Sequence, residues 1–360
     1  MISVDASSLW TQLKQAGLVE GDAPAESGTE TPWYIRTMLG IAGWIGAMFL
    51  LGSVGGAISM VFRSAETGLF MGALLCAAAT LMFRARPNGD FICQFALAVS
   101  IAGQTLICIG LGHFVGSEVS LAALLFAVLE VILFLLIPNF LHRTLSAAGA
   151  AGGLVIALGL WGFYPYTQAL VFAAFAWAWL NEFRFPGRST EIRALAYGFT
   201  LLVIFELVVE SGGFWRTIWM GHDTRPVFGG IAGIWIGAAL IGVITIWVTW
   251  SLLARQKIAA TSGAGLAALG GAALVALISL KAPGLGVTVT ILLLGFANGN
   301  RVLTGLGILS LLAYWSYYYY SLEMTLLLKS ALLFCAGLAF IAARVAMKRR
   351  WPIGKEAGHA

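Results

Sequence analysis

Charged residues are scarce in this sequence. Only 10% of its 360 residues are Asp, Glu, Lys or Arg, whereas 60% are hydrophobic. Soluble domains average about 25% charged and about 45–50% apolar residues. A soluble fold of this length could not hide so much apolar surface. Mostly apolar stretches of about 20 residues, the length of a membrane-spanning helix, also recur along the chain. Lipid is therefore the predicted solvent for most of it.

Signatures of catalysis and of metal binding are also absent from the sequence. It contains four cysteines and four histidines, and none of them has the spacing of a redox or zinc motif. No Ser–His–Asp arrangement, HExxH motif or Walker loop occurs. We therefore predict no metal, no cofactor and no enzymatic activity. The cysteines all fall within predicted spans and are interpreted as small buried hydrophobic residues.

The apolar stretches lack the period-two alternation of transmembrane barrel strands, so they predict helices. We predict an all-α polytopic membrane protein with about twelve transmembrane helices, preceded by a short amphipathic helix. The predicted domains are a cytoplasmic helix and acidic linker (1–34), a transmembrane domain (35–347) and a basic cytoplasmic tail (348–360). The predicted spans are 38–61, 68–83, 91–112, 119–137, 145–163, 166–180, 194–209, 227–253, 261–280, 285–296, 302–319 and 322–346.

Basic residues are distributed unevenly between the loops of this arrangement. Of the 21 Lys and Arg residues, 16 fall on the side of both termini and 4 on the opposite side, and Lys329 lies within a span. Basic loops remain on the cytoplasmic side of a membrane, so both termini are predicted to be cytoplasmic. The net charge of +5 reflects this bias, and no nucleic-acid partner is predicted.

Small residues recur every fourth position in four of the predicted spans. This spacing lets helix backbones approach closely. We expect these stripes to form tight contacts inside the bundle, with a dimer interface as the alternative. The stripes are Gly52 and Gly56; Gly149 and Gly153; Gly229, Gly233 and Gly237; and Gly263, Ala267 and Gly271.

Ionisable residues inside the spans are the candidate functional groups. Such side chains are costly in lipid unless they are paired, and they often mark ion or proton pathways. Glu130 lies in the middle of the fourth span, Glu206 in the seventh and Lys329 in the last. Two interpretations stay open for them: structural pairing between helices, or a path for ions or protons through Glu130.

Four consecutive tyrosines precede Lys329 in the segment SYYYYSLEMTLLLKS, residues 316–330. Tyrosines collect at membrane–water boundaries, so an aromatic belt is one interpretation of this run. The lysine lies about two turns inside the last span and is expected to point into the bundle toward a carboxylate or tyrosine hydroxyls. We predict a buried polar cluster formed by Lys329, Glu206, Tyr314, Tyr317, Tyr318 and Thr325.

Two stretches, 31–52 and 295–344, resemble the bacterial membrane family catalogued as domain of unknown function 4401, a relative of family 2157. The resemblance implies an inner-membrane location and a gene that often lies beside those of a second multi-span protein and a small partner. No activity is established for the family, so no mechanism is implied. The residues that carry the resemblance are Pro32, Trp33, Tyr34, Trp44, Gly299 or Gly305, Tyr317–Tyr320, Thr325, Leu326, Leu327, Lys329, Ser330 and Gly337.

The resulting functional prediction is an uncharacterised multi-pass component of a membrane assembly in the bacterial inner membrane. Its predicted partners are the lipid bilayer, another multi-span membrane protein and a small protein. The alternative is a secondary transporter or channel that uses the intramembrane glutamates and lysine.

Overall fold

A computed structural model describes residues 6–17, 33–57, 64–85, 90–211 and 230–321. It also describes positions 325, 327, 329, 330, 334, 337, 338, 341, 342, 344 and 345. The regular elements in these residues are all helical, as predicted. The predicted linker, most of the last predicted span and the basic tail lie outside the described residues.

Twelve α-helices make up the described structure, and the first lies where the amphipathic helix is predicted. A π-helical turn (Gly159–Phe163) and a short 3₁₀ helix (Pro186–Arg188) occur between them. The α-helices are α1 (Ala6–Gln15), α2 (Trp33–Ala57), α3 (Ala65–Ala85), α4 (Asp90–Val115), α5 (Val119–Leu136), α6 (Phe140–Leu158), α7 (Tyr164–Leu180), α8 (Ser189–Ser211), α9 (Gly230–Arg255), α10 (Gly263–Ser279), α11 (Pro283–Ala297) and α12 (Arg301–Ser321).

Six of the described helices are long and apolar enough to cross a membrane. They are α3, α4, α5, α6 with the π-helical turn, α8 and α9. Shorter apolar helices also occur: α11 has 15 residues, which extend only about 22 Å against the ~30 Å hydrocarbon core. An all-helical fold with apolar helices of membrane-spanning length is thus confirmed, while the count of twelve spans remains a prediction.

Contacts between residues divide the chain into two compact units, of which the first comprises residues 1–63 and 71–105. In this unit α2 packs closely on α4 at Gly43, where an added methyl group would lie 2.9 Å from the Phe91 carbonyl oxygen. Beside this contact the Trp44 indole donates a hydrogen bond to Gln94 Oε1 over 3.1 Å. A surface groove lies next to this pair, lined by Gly40, Ile41, Trp44, Ile45, Met48, Asp90 and Gln94.

The second unit comprises residues 64–70 and 106–360 and contains α5 to α12. Its main contacts join α5 with α6, α6 with α8, α7 with α9, α9 with α10, and α11 with α12. At Gly198 an added methyl group would lie 2.6 Å from Ala147 Cβ, which shows how closely α8 approaches α6. The buried core between these helices includes Phe172, Phe175, Trp179, Val203, Ile291 and Leu303.

The start of α6 differs from the predicted fifth span, which begins at residue 145. The helix begins at Phe140, because the Asn139 side chain accepts a hydrogen bond from the His142 amide at 3.0 Å and caps the first turn. His142 and Arg143 therefore belong to a helix. After α6 the chain bends at Gly162, whose φ of 89° favours glycine, and α7 begins at Tyr164.

The small-residue stripes meet their prediction in part. Gly153 lies in a tight contact, since an added methyl group would be 2.7 Å from the Ala123 carbonyl oxygen of α5. Gly233 and Gly237 of α9 are buried. The expectation of internal packing is wrong for Gly271 and Gly52, which are exposed and have no described atom within 4 Å of an added methyl group. The spacing defines one face of a helix but does not determine what covers that face.

Candidate functional site

Glu130 is a buried carboxylate in the apolar helix α5. Its side chain is only 1% exposed. Space for it comes from Gly149 on the facing helix α6, where an added methyl group would lie 3.1 Å from Glu130 Cγ. The helices α5 and α6 form a hairpin. Their close contact, and the space left by glycine at residue 149, hold the carboxylate between them.

Ser146 and His142 of α6 extend the polar contact from Glu130. Ser146 hydrogen-bonds to the Glu130 side chain, and its Oγ lies 3.3 Å from Nδ1 of His142. The serine and the histidine are four residues apart on a helix, so their side chains lie on one face. Both are 1% exposed. Glu130, Ser146 and His142, here called the hairpin triad, therefore form a continuous buried chain of polar groups.

Arg143 closes the turn of the same hairpin. Its Nε donates to the carbonyl oxygens of Phe134 (3.2 Å) and Ile137 (3.1 Å). These lie at the end of α5, where carbonyl groups lack partners within the helix. The guanidinium also pairs with Glu191 of α8 at 3.3 Å. Arg143 is thus committed to the turn and to Glu191, one residue from the histidine of the triad.

The hairpin triad combines a carboxyl group, a hydroxyl and an imidazole, which are groups that bind and transfer protons. Within the described residues, Glu130 Oε2 has no hydrogen-bond partner. The same part of the chain contains no cluster of three or more His, Cys, Asp or Glu side chains that could hold a metal ion. The chemistry of the three side chains is suited to holding a proton.

The family DUF4401, described as a domain of unknown function, matches residues 32–350. The chain belongs to this family. The match extends over nearly the whole sequence and includes the complete hairpin triad. The resemblance found at 31–52 and 295–344 is thereby confirmed. Neither a curated protein nor a solved structure matches the sequence.

The DUF4401 chain has a second polar network, which sequence reasoning missed. Glu182, 2% exposed, accepts a hydrogen bond from Arg193 Nε at 2.7 Å. Asn298, between α11 and α12, donates to Glu182 Oε2 (3.4 Å) and to the Trp179 carbonyl oxygen (3.1 Å). Nearby, the Tyr197 hydroxyl donates to Asn300 at 2.9 Å. These groups join the turn between α7 and α8 to the turn between α11 and α12. The two turns are more than 100 residues apart, so the sequence pattern could not predict their contact.

Lys329, the lysine of the predicted polar cluster, contacts one of the four consecutive tyrosines. Its Nζ donates to the Tyr319 carbonyl oxygen at 2.9 Å and lies 5.1 Å from the centre of the Tyr319 ring. A carboxylate partner for this lysine does not occur among the described residues. Thr325 lies one turn before the lysine, and its carbonyl oxygen accepts from the Lys329 amide at 3.1 Å.

The other residues of the predicted cluster lie on α8 and α12. Glu206 of α8 is buried. On α12, Tyr314 stacks on Tyr318 with ring centres 6.1 Å apart and packs against Gly284 of α11, while Tyr317 is exposed. The described contacts thus pair Lys329 with Tyr319 and Tyr314 with Tyr318, and do not bring Glu206 to the lysine. The six-residue cluster stays a prediction.

Proposed function

We propose that this DUF4401 chain is a structural component of a membrane assembly in the bacterial inner membrane. A second multi-span membrane protein is its main protein neighbour, and a small protein is a further partner. The observation that supports this proposal is the outward face of α10, where small residues are exposed within an apolar helix. Gly263, Ala267, Gly270 and Gly271 are all exposed there.

The inner face of α10 already has its partners. The helix packs against α9 and α11, and at Gly242 of α9 an added methyl group would lie 2.9 Å from Ala276 Cβ. On the outer face, Gly270 and Gly271 have no described atom within 4 Å of an added methyl group. Larger apolar residues flank them, including the exposed Leu266, Leu274 and Leu277.

Lipid contact alone requires no small residues, because acyl chains pack equally well on leucine. Helices in membranes associate through close backbone approach, which glycine and alanine permit. The outer face of α10 therefore fits a helix of another membrane protein. The flanking leucines would then pack around the approaching helix.

Photocrosslinking in native membranes tests this proposal. A photoreactive phenylalanine analogue replaces Leu274, which leaves the small residues intact, and a control replaces the exposed Leu309 of α12. We expect a discrete product with a second multi-span protein from position 274, lipid adducts alone from position 309, and loss of the product in Gly271→Leu. Lipid adducts alone at both positions, or a product only with a second copy of this chain, would contradict the proposal.

A second candidate function is secondary transport or channel activity. One observation favours it: α5 places a carboxylate, Glu130, in its buried face against Ser146. Ionisable residues in membrane-spanning helices commonly serve ion or proton pathways. The coupled species would then be a proton or a small cation.

A further inference from the structure

We propose that the hairpin triad is a proton-exchange unit, in which a proton passes between the Glu130 carboxyl group and the His142 imidazole through the Ser146 hydroxyl. The ligand of this unit is the proton. This unit is separate from the proposed assembly role. Any part that it plays in transport rests on the second candidate function.

The two hydrogen-bonded contacts of the triad allow two proton arrangements. In one, His142 is an imidazolium whose Nδ1–H donates to Ser146 Oγ and whose Nε2–H is kept throughout, and the serine hydroxyl donates to the Glu130 carboxylate. In the other, protonated Glu130 donates to Ser146 and the serine hydroxyl donates to unprotonated Nδ1. Conversion breaks one N–H and one O–H bond, forms two O–H bonds and changes no oxidation state. Serine suits the middle position because a hydroxyl donates and accepts at once.

A purely structural role explains the triad less well. Buried polar groups are costly unless they are hydrogen-bonded, and buried side-chain polar atoms usually have a partner. The Glu130 side chain is bonded by Ser146, yet its Oε2 has no partner among the described residues. The histidine behind the serine is a second buried titratable group. Proton exchange gives both features a role.

The charged groups near the hairpin triad are paired with other residues or lie farther along α8. On the same hairpin Arg143 is paired with Glu191 of α8. Arg193 of α8 is paired with Glu182. Glu206 lies eight residues beyond Gly198, the α8 residue that packs on Ala147, and this is about 12 Å along the helix. The other titratable residues of α7 and α8 are tyrosines at 164, 166 and 197 and Glu210, which lies four residues beyond Glu206.

The triad lies in one half of the hairpin. His142 is the third residue of α6, next to the turn, and Glu130 lies six residues before the end of α5, about 9 Å along the helix. The turn is predicted to be cytoplasmic, so the proposed exchange takes place with that side. Glu130 would be the inner proton site and His142 the site nearer the turn.

Infrared difference spectra of the purified full chain in nanodiscs, recorded as a function of pH, test the unit. The C=O stretching band of a protonated carboxyl group reports Glu130 and is identified by its loss in Glu130→Gln. The ring bands of histidine report His142. In the wild type we expect these signals to titrate together. In His142→Gln, which keeps a hydrogen-bonding group but takes no proton, the Glu130 midpoint should shift by about one pH unit or more, as for strongly coupled sites.

Ser146→Ala should separate the two titrations, because it removes the link, whereas Glu206→Gln, at a buried carboxyl outside the triad, should leave them coupled. An unchanged Glu130 midpoint in His142→Gln would overturn the proposal, even if Ser146→Ala failed to fold. Proton flux into proteoliposomes is measured separately. Coupled titration of Glu130 and His142 without proton flux would support the exchange unit and reject the transport function. Proton flux without coupled titration would support transport and reject the exchange unit.

Discussion

Asn298 joins two helical hairpins through one amide group. Its Nδ2 donates to the carbonyl oxygen of Trp179, in the last turn of α7, and to the buried Glu182 carboxylate. A carbonyl at a helix end lacks a partner within its helix, and a buried carboxylate needs several donors. The position of Asn298 in the sequence predicts a turn, yet its partners lie 119 and 116 residues away. Such a contact cannot be inferred from local pattern.

We predict that Asn298→Ala destabilises the second unit by roughly 1–3 kcal/mol, the cost of leaving buried polar groups without a partner. Asn181→Ala is the matched control. Its amide bonds only to the Trp177 carbonyl oxygen four residues earlier, at an exposed site, so its effect should stay within about 0.5 kcal/mol. Denaturant unfolding in detergent measures both changes. Equal losses of stability would reject the idea that Asn298 joins the hairpins.

Sequence reasoning at the residue scale identified Glu130, because an isolated charge in an apolar stretch is visible without a structure. It missed Ser146 and His142 as its partners. The predicted fifth span begins at residue 145 and leaves the histidine in the preceding loop, whereas the cap at Asn139 starts the helix at Phe140. Serines are also common in membrane helices, and Ser146 has no sequence feature that marks it as a partner of a carboxylate sixteen residues earlier.

At the scale of helices, the glycine spacing places small residues on one face of a helix, but it does not predict what that face contacts. The stripes at Gly153 and at Gly271 have the same spacing. One lies against the backbone of α5 and the other is exposed on α10. Helix ends could be predicted within about five residues from the apolar stretches, because a helix that crosses hydrocarbon needs a continuous apolar stretch. The side of each helix that meets protein depends on tertiary packing and could not.

The two glycines should therefore respond differently to the same substitution. Gly153→Leu should destabilise the chain by about 1–3 kcal/mol or more, because the added side chain has no space beside Ala123 and Ala127. Gly271→Leu should change stability by less than about 0.5 kcal/mol, as expected for an open surface position. Thermal unfolding of the isolated protein measures both. A large loss of stability in Gly271→Leu would show that α10 is packed against this chain's own residues.

For the whole molecule, the polar contacts place three helix turns at one end of the second unit. Arg143 at the turn of α5 and α6 pairs with Glu191 at the start of α8. Asn298 at the turn of α11 and α12 contacts Glu182 after α7. Basic residues mark all three turns, as the charge pattern of the sequence predicts. The prediction that this end faces the cytoplasm rests on the bias of basic residues alone.

Reporter fusions to the full chain test that orientation. We predict that fusions at Gly187, at Gly299 and after Ala360 report the cytoplasm, because basic residues flank these positions and resist translocation. A fusion at Ser117, between α4 and α5, should report the outside, since the loop at 113–118 contains no Lys or Arg. Each position is fused in turn to a phosphatase that is active only outside the cytoplasm and to a fluorescent protein that is active only inside it. Every position therefore gives a positive signal with one of the two reporters. Opposite locations for Gly187 and Gly299 would contradict the shared end formed by Glu182 and Asn298. An external Ala360 with the other sites as predicted would instead mean that an odd number of spans lies between Gly299 and Ala360, so that only one of the last two predicted spans crosses the membrane.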